Sequence, residues 1–155
     1  MFGRPYQLGY VTGDLSLALQ RLGERQGLKN FVIEEQRRPG SAVRRVGKGY
    51  AGPMMLEIME VDPAIPSMYG DRVSDDPAEI TLHHLGYMLD DPQDLDRVRA
   101  WCKARSLSID LDTEAPGVLA AIYADTRPAL GHYSEFVHLM PGGAGWYDKV
   151  PANTP

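Results

Sequence analysis

The triplet Leu8-Gly9-Tyr10 recurs as Leu85-Gly86-Tyr87, 77 positions later, and the repetition extends outward from it. Asp14 and Asp91 stand at the same offset. Each is placed to cap a helix, its carboxylate accepting from amides of the first turn. Pro92 has the fixed φ that suits a first helical position. A duplicated chain has to build two similar modules, which constrains the fold more than any composition does. After Asp14, Leu15, Ala18, Leu19 and Leu22 fall on one helical face, with Gly27 as the stop. After Asp91, Leu95, Val98 and Cys102 do the same, with Trp101 beside them. Strand-like segments follow in both copies, at 31–35, 42–46 and 54–61, then at 107–111, 118–123 and 133–140. Turns are marked by Pro39-Gly40, Gly52-Pro53, Pro116-Gly117 and Arg127-Pro128. The pattern predicts an α+β chain of βαβββ modules at 5–68 and 79–141, joined by a polar linker over 69–78. A C-terminal extension, 142–155, completes a single domain spanning residues 1–155.

Composition removes several classes. The one cysteine, Cys102, excludes a disulfide framework and a multi-Cys metal site, and on an apolar helix face it reads as buried and inert. A net charge of −5 argues against nonspecific nucleic-acid binding. No apolar run approaches the roughly 18 residues of a membrane span, and the first residues form no signal peptide. The expectation is a cytoplasmic protein acting on a small molecule. Arg37, Arg38, Arg44, Arg45 and Lys48 crowd the first hairpin. They suit either a clamp for a carboxylate or phosphate, or a solvated edge that resists edge-to-edge pairing.

Strand alternation then selects candidate site residues. In the first strand Gln7, Gly9 and Val11 share a face; in its repeat His84, Gly86 and Met88 do. Gln7 and His84 are therefore equivalent. Glu57 lies on a face with Met55 and Met59, and Glu135 with Tyr133 and Val137. These carboxylates are 78 positions apart, within one residue of the repeat. A carboxylate in an apolar strand is costly unless it is paired or binds a metal. Three oxygen donors and one imidazole suit a divalent ion: zinc, nickel, cobalt, manganese or ferrous iron. The competing reading pairs Glu57 and Glu135 with arginines and satisfies His84 and Gln7 by hydrogen bonds. His132 stands either as a donor to substrate or as a strand cap. Met55, Met59 and Met88 stand as an adaptable apolar wall or as ordinary core, and His83 and His138 as packing residues.

The segments "QLGYVTGDL", "MLEIMEV", "HHLGYMLDD" and "GHYSEFVHL" resemble the vicinal oxygen chelate superfamily, which includes glyoxalase I, methylmalonyl-CoA epimerase, extradiol dioxygenases and bleomycin-resistance proteins. The resemblance runs from about residue 5 to 141. It implies a curved mixed sheet around a metal-binding cleft, with one divalent ion per chain on Gln7, Glu57, His84 and Glu135. It also implies a homodimer, and a lyase or isomerase acting next to a carbonyl through an enediolate-type intermediate. Glu135 is then the base and Glu57 its alternate, with Tyr133, His132, Met55, Met59 and Met88 towards the substrate. The ligand set is closest to glyoxalase I, but Val11 and Val61 replace that enzyme's glutathione contacts. The alternative is a metal-free sequestering protein of the bleomycin-resistance type.

Overall fold

The computed structural model describes residues 3–36 and 38–153, so Arg37 of the hairpin cluster lies outside the described residues. The described chain forms two compact units, one of residues 8–83 and 149–153, the other of residues 3–7 and 84–148. The fold is α+β, with parallel and antiparallel strand pairs.

In the first unit the helix α1 (Leu15–Gln26) begins where the sequence predicts. Asp14 accepts from the Leu17 amide at 3.0 Å, and Gly27 closes the helix at φ 74°. Leu15 and Ala18 are buried, while Leu19 and Leu22 are half-buried. The strands β2 (Val32–Glu35), β3 (Val43–Ala51) and β4 (Met54–Val61) pair antiparallel in series. β1 (Arg4–Thr12) follows β4 in the sheet order. β3 runs five residues past the predicted end at Val46, through Gly47-Lys48-Gly49. Both glycines are demanded by close approach. A Cβ on Gly47 would stand 3.3 Å from a Leu15 methyl, and one on Gly49 would stand 2.5 Å from the Asn30 carbonyl oxygen. One face of β3 and β4 therefore meets α1 and the chain before β2. The opposite, inner face carries Val46, Met59 and Val61, which pack with Val11 and Ala42.

The second unit repeats this design. β5 (Thr81–Leu89), β8 (Tyr133–Leu139), β7 (Leu119–Ala124) and β6 (Ile109–Ala115) follow in that order, the counterpart of β1, β4, β3 and β2. β5 and β8 are parallel; the other two pairings are antiparallel. The helix α2 (Gln93–Ala104) buries Leu95, Val98 and Cys102 against Leu89, Ile122 and Phe136. Its start differs by one position from expectation. Pro92, already helical at φ −58°, takes the cap position, and Asp91 accepts from the Gln93 amide at 2.8 Å. Arg127-Pro128 is more than a turn: Arg127–Leu130 forms a short helix, α3, closed by Gly131 at φ 78°.

The extension returns to the first unit. β9 (Ala152–Asn153) pairs parallel with β3 through Tyr50 and Ala51. The Asn153 carboxamide accepts from the Lys29 and Asn30 amides at 2.8 and 2.7 Å and donates to the Asn30 and Tyr50 carbonyls. Among the described residues no helix is long and apolar enough to cross a membrane.

Candidate functional site

In the second unit the β5–β8 register sets Gly86 against Glu135, and the β7–β8 register sets Tyr123 against Glu135. Alternation puts Tyr133, Glu135 and Val137 on the face opposite α2, since Phe136 between them enters the helix-side core. His84 lies on that face too, its ring edge-on to Tyr123 at 5.2 Å. Gln7, from the part of β1 that belongs to this unit, joins them. The Gln7 amide nitrogen is 3.4 Å from His84 Nε2, and Glu135 Oε2 is 3.4 Å from the same nitrogen. All three side chains are buried: Gln7 is 2% exposed, His84 0% and Glu135 7%.

Glycine makes this convergence possible. A Cβ on Gly86 would stand 2.9 Å from Tyr6 Cε1, 3.0 Å from Gln7 Cβ and 3.2 Å from Glu135 Oε2. Position 86 is therefore the floor on which two of the three polar groups rest.

The electrostatics at His84 Nε2 are unusual. If the Gln7 amide donates to it, Nε2 holds a lone pair, and that lone pair also faces a carboxylate oxygen. If Nε2 carries the proton, it faces an amide donor. Turning the amide over, which exchanges two nearly isosteric ends, presents Oε1 instead. Both separations exceed the 2.7–3.2 Å of an ordinary hydrogen bond. They match the edge of a tetrahedron of ligands set about 2.0–2.1 Å from a common centre, which is roughly 3.3–3.4 Å. The donor types and spacing therefore fit a divalent cation. Among the described residues no group of three His, Cys, Asp or Glu side chains is gathered for a metal, and here the third donor is an amide.

The other predicted residues are placed as follows. Glu57, in the first unit, is half-buried on β4, opposite Lys48 in the β3 register. Met55 and Met59 are buried, and Met59 packs in the apolar cluster with Val11 and Val61. Met88 is half-buried on β5. His132 is half-buried, with Nδ1 2.8 Å from the Tyr133 carbonyl oxygen, and the Thr126 hydroxyl donates to the His132 carbonyl. The Tyr133 hydroxyl donates to Asp110 at 2.6 Å, and the Arg127 guanidinium lies 4.4 Å from the Tyr133 ring centre. Burial, followed by the hydrogen bond to Asp110, raises the Tyr133 phenol well above its usual range, so it stays protonated. His83 is fully buried, 3.2 Å from the Met68 carbonyl oxygen, and His138 lies 3.0 Å from the Leu89 carbonyl oxygen. Burial likewise pushes the Cys102 thiol up.

Sequence reasoning missed Tyr123, whose place beside His84 follows from pairing with Glu135. No local signal marks it. Tyr147, which the sequence singles out in the extension with Trp146 and Pro151 as a residue to cover the cleft or pack on a partner subunit, has its hydroxyl 3.5 Å from that of Tyr6.

This architecture is the vicinal oxygen chelate fold, two βαβββ modules in tandem. Solved structures with the same fold include methylmalonyl-CoA epimerases. A Streptomyces coelicolor enzyme variant in complex with 2-nitronate-propionyl-CoA superposes with a TM-score of 0.62 at 16% identity, over 90% of this chain and 96% of that one. The enzyme from Mycobacterium tuberculosis gives 0.61 at 14% identity, over 92% and 91%. An epimerase in complex with methylmalonyl-CoA and NH4+ gives 0.61 at 15% identity, over 90% and 96%. No protein-family profile matches the chain, and no curated protein matches its sequence.

Proposed function

We propose that the chain is a metal-dependent isomerase or lyase that moves a proton next to a carbonyl of a small, largely apolar substrate. The observation that carries this reading is the buried meeting of Gln7 and Glu135 at His84 Nε2, each at 3.4 Å. Gln7, His84 and Glu135 would hold one divalent ion, and Glu57 is assigned as the fourth ligand on its equivalence to Glu135 in the repeat. When bound, the ion supplies Lewis-acid polarisation of a substrate oxygen, which acidifies the neighbouring C–H.

The chain's own groups then have defined tasks. Glu135 takes the proton from carbon at a carboxylate oxygen. A carboxylate is a weak base for carbon acids, so its 7% exposure matters: little water competes for its lone pairs. Glu57 is the alternate acid–base group and can return a proton to the planar carbon. The neutral phenol of Tyr133, tied to Asp110, orients its ring beside the base and takes no proton itself. The fold shared with epimerases that are crystallised with CoA thioesters supports a carbonyl or thioester substrate. Val11 and Val61, where glyoxalase I contacts glutathione, argue against a glutathione adduct.

The test is exchange of solvent deuterium into carbon next to the carbonyl, across ketones, hydroxyketones and thioesters. Glu135→Gln should lower exchange by about 100-fold or more. Ligand binding by metal-loaded protein without any exchange would favour a sequestering protein instead.

A further inference from the structure

The basic cluster around the first hairpin divides into two kinds of residue. Arg44 is bound to Asp62 at 2.5 Å, and Arg45 to Glu60 and the Ser16 hydroxyl. Those guanidinium groups are engaged by the protein's own acids. Lys48 differs. Its side chain is only 8% exposed, and its Nζ donates to Glu34 Oε2 at 2.8 Å. An ammonium carries three N–H donors, and this bond uses one. A mostly buried ammonium needs an anionic acceptor, and a ligand carboxylate can supply one as Glu34 does.

The position of Lys48 says where such a ligand would lie. Lys48 is directly opposite Glu57, and Val46 is directly opposite Met59. Val46 and Met59 belong to the inner apolar cluster, so Lys48 and Glu57 share its face. Glu34 joins the row from β2, where its side chain is 41% exposed. Such a carboxylate regains water readily if something displaces it.

We propose that Lys48 is a carboxylate-binding residue of this inner face, and that Glu34 is its placeholder. A substrate carboxylate displaces Glu34 and takes the ammonium, leaving Glu34 to solvent. The substrate class narrows accordingly, to carbonyl compounds that carry a carboxylate on an otherwise apolar frame. This rests on the reading that the inner face receives the substrate.

The experiment is titration of the full-length protein with butyrate and with its neutral counterpart butanamide, followed by NMR, in EDTA-treated and metal-loaded samples. Butyrate should bind in both samples and butanamide in neither. Glu34→Gln should tighten butyrate by about five-fold, since the internal competitor is gone. Lys48→Met should weaken it by at least about ten-fold, with Lys48→Arg recovering part of the loss. The two changes act in opposite directions, which a generally damaged fold does not produce. If Lys48→Met does not fold, Glu34→Gln decides alone, and unchanged or weaker binding overturns the proposal. Wild-type affinity in Lys48→Met overturns it as well. Binding in the EDTA-treated sample does not involve the metal centre, so a failure here is distinguishable from a failure of the metal reading.

Discussion

His84 is the residue at which the polar groups of the candidate site meet. It is wholly buried, and the two polar groups at its Nε2 are each too far for a strong hydrogen bond and suitably spaced for a shared cation. His84→Ala should therefore abolish one-to-one binding of a divalent ion, checked by elemental analysis of protein purified without chelators. Retention of metal at wild-type stoichiometry would remove His84 from the centre. Gly86→Ala tests the floor beneath it. The added methyl meets Tyr6, Gln7 and Glu135 at 2.9–3.2 Å, so the expected cost is roughly 1–3 kcal/mol of stability. Metal affinity should fall with it, because Gln7 and Glu135 are the groups pushed aside. Urea denaturation and metal titration on the same variant separate the two effects.

At the scale of elements, the two helices show how equivalent signals lead to slightly different starts. Asp14 is a full cap, and Asp14→Ala should cost about 0.5–2 kcal/mol by urea denaturation. Asp91 instead supports the first turn from one position further out, because Pro92 already occupies the cap. The extension contributes through β9. Asn153 is 8% exposed and makes four hydrogen bonds to the backbone of residues 29, 30 and 50. Asn153→Ala leaves those groups to find other partners, for a loss of roughly 2–3 kcal/mol. If that variant melts like the wild type, β9 is an ornament rather than a brace.

For the whole molecule, the pH dependence follows from groups held away from their usual range. A hydrogen bond from Arg99 lowers the Asp112 carboxyl. Backbone and arginine hydrogen bonds do the same for Asp62 and Asp76. A carboxyl lowered in the folded state binds its proton less well there than in the unfolded chain. Its contribution is therefore present above the ordinary carboxylate range and lost as pH falls below about 4. Tyr10, Tyr87 and Tyr133 are raised, first of all by burial. Their contribution is present below about pH 10 and lost as pH rises above it. Thermal melting against pH should thus fall at both extremes, and a flat acid limb would contradict the carboxylate assignments. On the superfamily resemblance we further propose that the protein is a homodimer, with the isologous pairing that two-fold symmetry imposes. Light scattering at micromolar concentration should give twice the 17.2 kDa chain mass.

The sequence alone determined what is carried by near neighbours and by periodicity. The 77-residue offset, the helical face from Leu15 to Leu22 and the Asp14 and Gly27 stops are local, and the structure keeps them. Alternation placed Gln7 with His84 and both glutamates among apolar residues, because strand parity needs no knowledge of the partner strand. What the chain could not show in advance depends on residues far apart in it. β3 continues through Gly47 and Gly49, poor strand formers, because Leu15 and Asn30 approach where only glycine leaves room. Ala152 and Asn153 form a strand because Tyr50 and Asn30 supply the hydrogen bonds that a two-residue segment cannot supply itself. Lys48 reads as one more surface cation in the hairpin cluster. Burial beside Glu34 is set by sheet pairing, and only pairing separates Lys48 from Arg44 and Arg45.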